Sequence, residues 1–289
     1  MSVSSVVATP LSREKLLLVA RTLPADLEVL SSLGKMLQEI NSELDEIAAL
    51  LRRDVALAAR VVRISNSAVF GGGGQIASVE EAVNRVGFSE ILKLVGTATA
   101  ARFTETSLEC YGISAVQLRD NMLFTALAAE ALARLAGLDA GVAYTAGLLR
   151  PLGIIVLDRA SRGQKRYAHH FVASSWESYS AWEGSIFGVD NCEVTSLIME
   201  EWRFPAELRN GIRGHYLKHA TDGGRPLASL LNVASTLAQR NGCDFPGEAS
   251  WWGITAERLA TAGLNEDELD SVVVETEAAL EAAVAALAA

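Results

Sequence analysis

Residues 54–70 read DVALAARVVRISNSAVF, and this stretch decides how the rest of the chain is read. It opens on an acid, Asp54, and runs on as an amphipathic helix. Leu57, Val61 and Ile64 fall at i, i+4 and i+7, one apolar stripe at the helical period. Ala58, Val62 and Ser65 flank that stripe and let a second helix approach closely, while Arg53, Arg60 and Arg63 point mostly elsewhere. Asn66 and Ser67 offer side-chain hydrogen bonds to the backbone, which favours a turn over more helix. The glycines at 71–74 let the chain turn with positive φ. The next helix opens at Ser78, with Glu81 three residues on as a capping box. Physics alone reads a capped helix pair in a helical domain.

The same residues resemble the signature of the HDOD (HD-related output domain) family. That pattern is an Asp, a small-residue helix with an Arg, then Asn-Ser-Ala and an aromatic before a glycine-containing loop. Here it reads Asp54, Leu57, Ala58, Arg60, Val61, Asn66, Ser67, Ala68 and Phe70, and continues through Ile76-Ala77-Ser78 and Ala82-Val83 to Val86-Gly87. The resemblance implies an all-α, two-lobed bacterial protein of signal transduction. It also implies an interaction surface at Asp54, Arg60, Arg63, Asn66, Ser67 and Phe70.

Composition agrees with the fold class. Leu and Ala dominate, proline is scarce and β-branched runs are short, which favours helices. Half the residues are hydrophobic (50%) and 21% are charged, as in an ordinary globular protein. The net charge of −10 argues against nucleic acid as a partner. The basic strip Arg52, Arg53, Arg60 and Arg63 reads either as a solvated, salt-bridged face or as a contact for an acidic partner. Cys110, Cys192 and Cys243 are widely separated, which fits a reduced, cytoplasmic chain. No signal pattern is present, and no apolar run is read as spanning a membrane.

Three regions are expected: an N-terminal bundle of short helices over 1–110, a second helical lobe over 111–245, and a C-terminal extension over 246–289. Residues 1–11 read as a loose arm. Helices are expected over 12–21, 25–40, 43–52, 78–86, 89–103, 117–136, 142–159, 191–202, 205–219, 226–241 and 266–289. The segment 106–116 reads as a hinge, and 162–180 as mixed helix and loop. Pro151 must kink its helix or sit at a joint. Trp251 and Trp252 are placed to plug a surface groove. The tail helix either docks on the second lobe or supports a homodimer.

The resemblance extends to HD-superfamily phosphohydrolases, which hold a divalent metal with histidines and an adjacent His-Asp pair. Matched by helix order, the ligand positions here fall on Asn121, Arg150-Pro151, Asn191, His215-Tyr216 and Ser235. Only His215 keeps an imidazole, and no His-Asp dipeptide occurs in the chain. Arg150 puts a permanent cation where the ion would sit. The expectation is therefore no catalysis, no metal and no cofactor. Arg150 then either pairs with a nearby carboxylate such as Glu193 or Asp190, or anchors an anion in a pocket formed with Asn121, Asn191 and His215. Of the remaining signals, His215 and His219 at i, i+4 form half of a zinc site without further ligands, and His169-His170 reads as surface. The glycine run lacks the Lys-Ser/Thr of a phosphate loop. Neither serine nor cysteine has a paired histidine at a recognisable local spacing. Two functions stand side by side: a non-catalytic regulatory module that binds a protein partner, and a sensor of a nucleotide or other small anion.

Overall fold

The computed structural model describes residues 10–23, 29–30, 32–33, 36, 44–66, 75–103, 107–162, 170–219 and 225–288. Ser67, Phe70, the glycines 71–74, His169 and most of the helix expected over 25–40 lie outside the described residues. Among the described residues there is no strand beyond one isolated bridge, Leu108 to Ile113.

Helix α1 (Arg13–Ala20) is capped by Ser12, and α2 spans Leu44–Leu51. Helix α3 (Val55–Ser65) realises the opening stretch: the Asp54 carboxylate accepts the backbone N–H groups of Ala56 and Leu57, and Leu57, Val61 and Ile64 are buried. Helix α4 runs over Val79–Phe103 and is broken at Gly87, whose φ of 81° favours glycine. That break is the gap expected between 86 and 89. A 3-10 turn at Glu109–Tyr111, with Gly112 left-handed, occupies the expected hinge.

The second half holds α5 (Ala115–Ala136), α6 (Ala140–Leu149), α7 (Leu152–Ser161), α8 (Tyr179–Phe187), α9 (Asn191–Glu201), α10 (Ala206–Gly214), α11 (Pro226–Arg240), α12 (Ala256–Ala262) and α13 (Leu269–Ala288). Helix α4 packs on α5 and α6, so the apolar core continues from the first helices into the second set. Helix α13 packs against α5 and α4 of its own chain through Leu269, Val272, Ala283 and Ala286.

Four expectations need correction. Ala140–Ser161 does have the length and mean hydropathy (1.6) of a membrane span, although no such run was expected. The chain divides it at Arg150-Pro151 into α6 and α7, and 89% of the span is buried, as in a core helix pair. Pro151 thus sits at a joint. Helix α10 ends at Gly214, not near 219, because the chain turns through His215 and Tyr216 and Leu217 takes a φ of +53°. Helix α8 runs on from the end of the segment expected as mixed helix and loop into 181–187, where no helix was expected: Ser178 caps it, and Tyr179, Trp182 and Ile186 face the core. The tail begins with a 3-10 turn at Glu266–Glu268 before α13.

Candidate functional site: a buried arginine–glutamate pair

Two glycines bring the site's helices together. A Cβ at Gly147 would lie 2.7 Å from the Thr125 carbonyl oxygen, so α6 needs glycine there to lie against α5. A Cβ at Gly153 would lie 2.0 Å from the Asn191 carbonyl oxygen, which fixes the approach of α7 to α9. Arg150, between them, is only 1% exposed.

A buried guanidinium needs a compensating charge. Glu248 supplies it: Arg150 Nη1 donates to Glu248 Oε1 at 2.6 Å and Oε2 at 2.8 Å. Arg150 Nη2 donates to Asn121 Oδ1, and Asn121 Nδ2 donates to the Cys243 carbonyl at 2.6 Å. The rings of Phe245 and Trp252 lie 5.4 and 5.5 Å from the guanidinium carbon. The Tyr216 hydroxyl donates to Glu248 Oε1 at 2.5 Å. Arg150 is therefore paired as one of the two expected alternatives required, but with Glu248 and not with Glu193 or Asp190. Those two form the capping box of α9, and Asp190 also holds Lys218 at 2.6 Å.

Asn191 belongs to a second buried cluster. Its backbone N–H donates to Glu183 Oε2 at 2.8 Å, its side-chain amide donates to both Glu183 oxygens, and the Tyr111 hydroxyl donates to Oε1 at 2.8 Å. With no cation beside it, burial pushes the Glu183 carboxyl up to about 8. Asn191 Nδ2 also lies 3.3 Å from the Tyr216 hydroxyl, which joins the two clusters.

His215 is buried and neutral. Burial, and then the Arg150 charge, hold its imidazole well below its usual range. Its Nδ1–H donates to the Ile212 carbonyl at 2.6 Å. Cys192 Sγ lies 3.7 Å from the same nitrogen, a pairing that local sequence spacing did not show. Burial raises that thiol well above its usual range, so it is not poised as a thiolate nucleophile. Ser235 is buried beside the same helices. His219 is exposed beyond the end of α10, so the expected i, i+4 pairing with His215 does not form on one helix. His170 is exposed, with Nδ1 2.9 Å from the Glu109 carbonyl.

The donor set does not fit a divalent ion. Among the described residues no group of three His, Cys, Asp or Glu side chains converges as metal ligands. The positions matched to the HD ligands bring one neutral imidazole, two amides, two hydroxyls, a proline and a guanidinium.

The signature residues turn inward to their own chain. Asp54 caps α3 and lies 3.7 Å from Arg102. Arg60 donates to the Ala98 carbonyl at 3.1 Å. The Asn66 side chain donates to the Val62 and Ile76 carbonyls at 3.0 and 2.7 Å and accepts the Ile76 N–H at 2.7 Å. Arg52 pairs with Glu80. Arg53 and Arg63 are exposed.

The residues missed from sequence are Glu248, Phe245, Glu183 and Tyr111. Glu248 lies about a hundred positions beyond Arg150, and only the rule that a buried cation demands a carboxylate pointed to it. Glu183 carried a legible sign, an acid four residues after Tyr179 and three before Ile186 in a helix that Ser178 caps.

The HDOD domain matches residues 23–217. A Treponema pallidum (strain Nichols) protein described as uncharacterized is 27% identical over 209 residues, covering 71% of this chain and 40% of that protein. This chain thus spans less than half of that relative's length. Among solved structures, an HDOD domain protein of unknown function from Geobacter sulfurreducens superposes with a TM-score of 0.67 at 22% identity, covering 93% of this chain and 98% of that one. A Shewanella amazonensis SB2B protein provisionally named a phosphohydrolase gives 0.64 at 22% identity, covering 94% and 96%. A Marinobacter aquaeolei VT8 protein provisionally named for signal transduction gives 0.66 at 20% identity, covering 96% and 65%. With its signature helix, its helix order and this match over most of its length, the chain belongs to the HDOD domain family.

Proposed function

We propose that the chain is a non-catalytic regulatory module of a bacterial signalling pathway that acts in the cytoplasm by binding a protein partner. The observation that carries this reading is the Arg150–Glu248 pair. It sets a permanent cation, covered by a carboxylate of the same chain, at a position that helix order matches to an HD metal ligand, and this supports the reading. Hydrolysis by the HD route needs an ion that lowers the pKa of a bound water, and the donor set offers no place for one. A module with the fold of a phosphohydrolase and no metal ligands acts through its surface. The provisional name of the Marinobacter relative supports the signalling setting.

The contact surface proposed is the outer edge of α3. Asn66 and Arg60 are committed to backbone carbonyls of this chain, so the exposed face is Ala56, Ala59 and Arg63, with Arg53 beside it. Two cations on that face suit an acidic partner. The test has two arms. Hydrolysis of bis(p-nitrophenyl) phosphate with Mn²⁺, Mg²⁺ or Fe²⁺ is expected to stay at the blank, and metal-dependent turnover would overturn the reading. Cross-linking in native lysate is expected to capture a partner with wild type and lose it with Arg63→Glu. Equal capture by both would remove α3 as the surface.

The anion-sensor reading loses its anchor, since Arg150 is occupied by Glu248 and Asn121.

A further inference from the structure

Two adjoining cavities lie outside the closed cluster. The first, about 270 Å³, is lined by Glu193, Arg213, Tyr216 and Arg225 among others; the second, about 380 Å³, is lined by Ser229, Thr255 and Thr261. Lys218 and His219 line both, so the cavities are neighbours that share a wall. Together they reach the size of a small-molecule site.

The charges in the first cavity are uneven. Asp190 is neutralised by Lys218 at 2.6 Å, and Lys218 is fixed further by Ser180 at 2.7 Å and by the Tyr216 ring at 5.0 Å. Glu193 faces the cavity and Arg213 and Arg225 face it too. Neither arginine makes an ion pair among the described residues. An excess of unpaired guanidinium on a chain of net charge −10 marks a place for an anion. The second cavity brings an independent sign. Ser229 is 1% exposed, and its hydroxyl has no hydrogen-bond partner among the described residues. A buried hydroxyl is ordinarily satisfied, and this one lines a cavity. Leu217, which lines the second cavity, holds a left-handed φ of +53° that a bulky residue rarely adopts, as occurs at ligand sites.

We propose that these cavities bind a small phosphorylated metabolite that carries hydroxyl groups, with Arg213 and Arg225 on the phosphate and Ser229 on a hydroxyl. The site is separate from the Arg150 cluster and from α3. Tyr216 lines the first cavity and donates to Glu248, so an occupant there touches the wall of the buried ion pair.

Calorimetric titration of the full chain with ribose 5-phosphate, inorganic phosphate and ribose tests this. Ribose 5-phosphate is expected to bind at least about tenfold more tightly than inorganic phosphate, and ribose alone not to bind. An Arg213→Gln, Arg225→Gln double variant, confirmed as folded by circular dichroism, is expected to weaken both phosphate probes by about tenfold or more. Ser229→Ala is expected to bring ribose 5-phosphate down toward inorganic phosphate and leave inorganic phosphate unchanged. No binding of either phosphate probe, or equal affinities in wild type and both variants, would overturn the proposal. So would equal affinity for ribose 5-phosphate and inorganic phosphate in wild type, which marks an adventitious ion only.

Discussion

Helix α3 and the α6–α7 joint are the two places where this sequence is most distinctive, and they use polar residues in opposite ways. Along α3, Asp54, Arg60 and Asn66 each satisfy backbone groups of their own chain, at or near the surface. At the joint, Arg150 and Glu248 are buried together, and their hydrogen bonds close on each other, on Asn121 and on Tyr216. The first arrangement fixes local geometry and leaves an exposed face free to meet a partner. The second closes a charged pair inside the packed helices, out of reach of solvent. A strong signature and an active centre are thus different things in this chain.

Substitutions sharpen the contrast, beginning with the joint. Glu248→Ala strands the Arg150 cation in the core and is expected to cost about 3–5 kcal/mol in urea unfolding. A loss under about 1 kcal/mol would show that water reaches Arg150. On α3, Asn66→Ala removes three hydrogen bonds to backbone and is expected to cost about 2 kcal/mol. Its partner binding, measured on the folded fraction, is expected to persist, since the side chain faces Ile76.

The pH dependence separates the regions further. Glu183 has a folded pKa raised from 4.5 to about 8, so the folded state binds more protons than the unfolded one between those values. Its contribution to stability should therefore fall as pH rises from about 4.5 to about 8, by up to ~1.4 kcal/mol per pH unit; below about 6.5 the opposite His215 contribution offsets it, so the net fall is seen from about 6.5 to 8 and levels off above. His215 has the opposite sign. Its folded pKa lies below 6.5, so stability should fall as pH drops below that value. Glu183→Gln is expected to flatten the alkaline limb and leave the acid limb in place. Urea midpoints measured from pH 4 to 9 check both. Arg63→Glu on α3 is expected to shift stability by no more than about 0.5 kcal/mol while abolishing partner capture.

These same residues show how far sequence reaches. The α3 stripe, the Asp54 start, the break at Gly87 and the Pro151 joint are local, and periodicity, capping and proline sterics settle them within a few turns. The residue types at the positions matched to the HD ligands were equally legible, because chemistry can be read one position at a time. The partner of Arg150 was not. Glu248 lies in an irregular segment, where no period places a side chain, and the nearer acids Asp190 and Glu193 were the reasonable candidates. They are taken instead by the cap of α9 and by Lys218, a competition visible only once the helices are packed. The early end of α10 was hidden for a similar reason: tertiary contacts of His215 and Tyr216 override the helical propensity that continues past them.

The most direct test of the sealed site is a double-mutant cycle on Arg150→Met and Glu248→Leu, followed by urea unfolding of the wild type, both singles and the double. Each single strands a buried charge, and the double removes both. The account predicts that the double variant is markedly more stable than the sum of the single losses implies, with a coupling of at least about 2 kcal/mol. Additive losses would contradict it, because they would mean that the two groups do not depend on each other and that Arg150 remains available to something else.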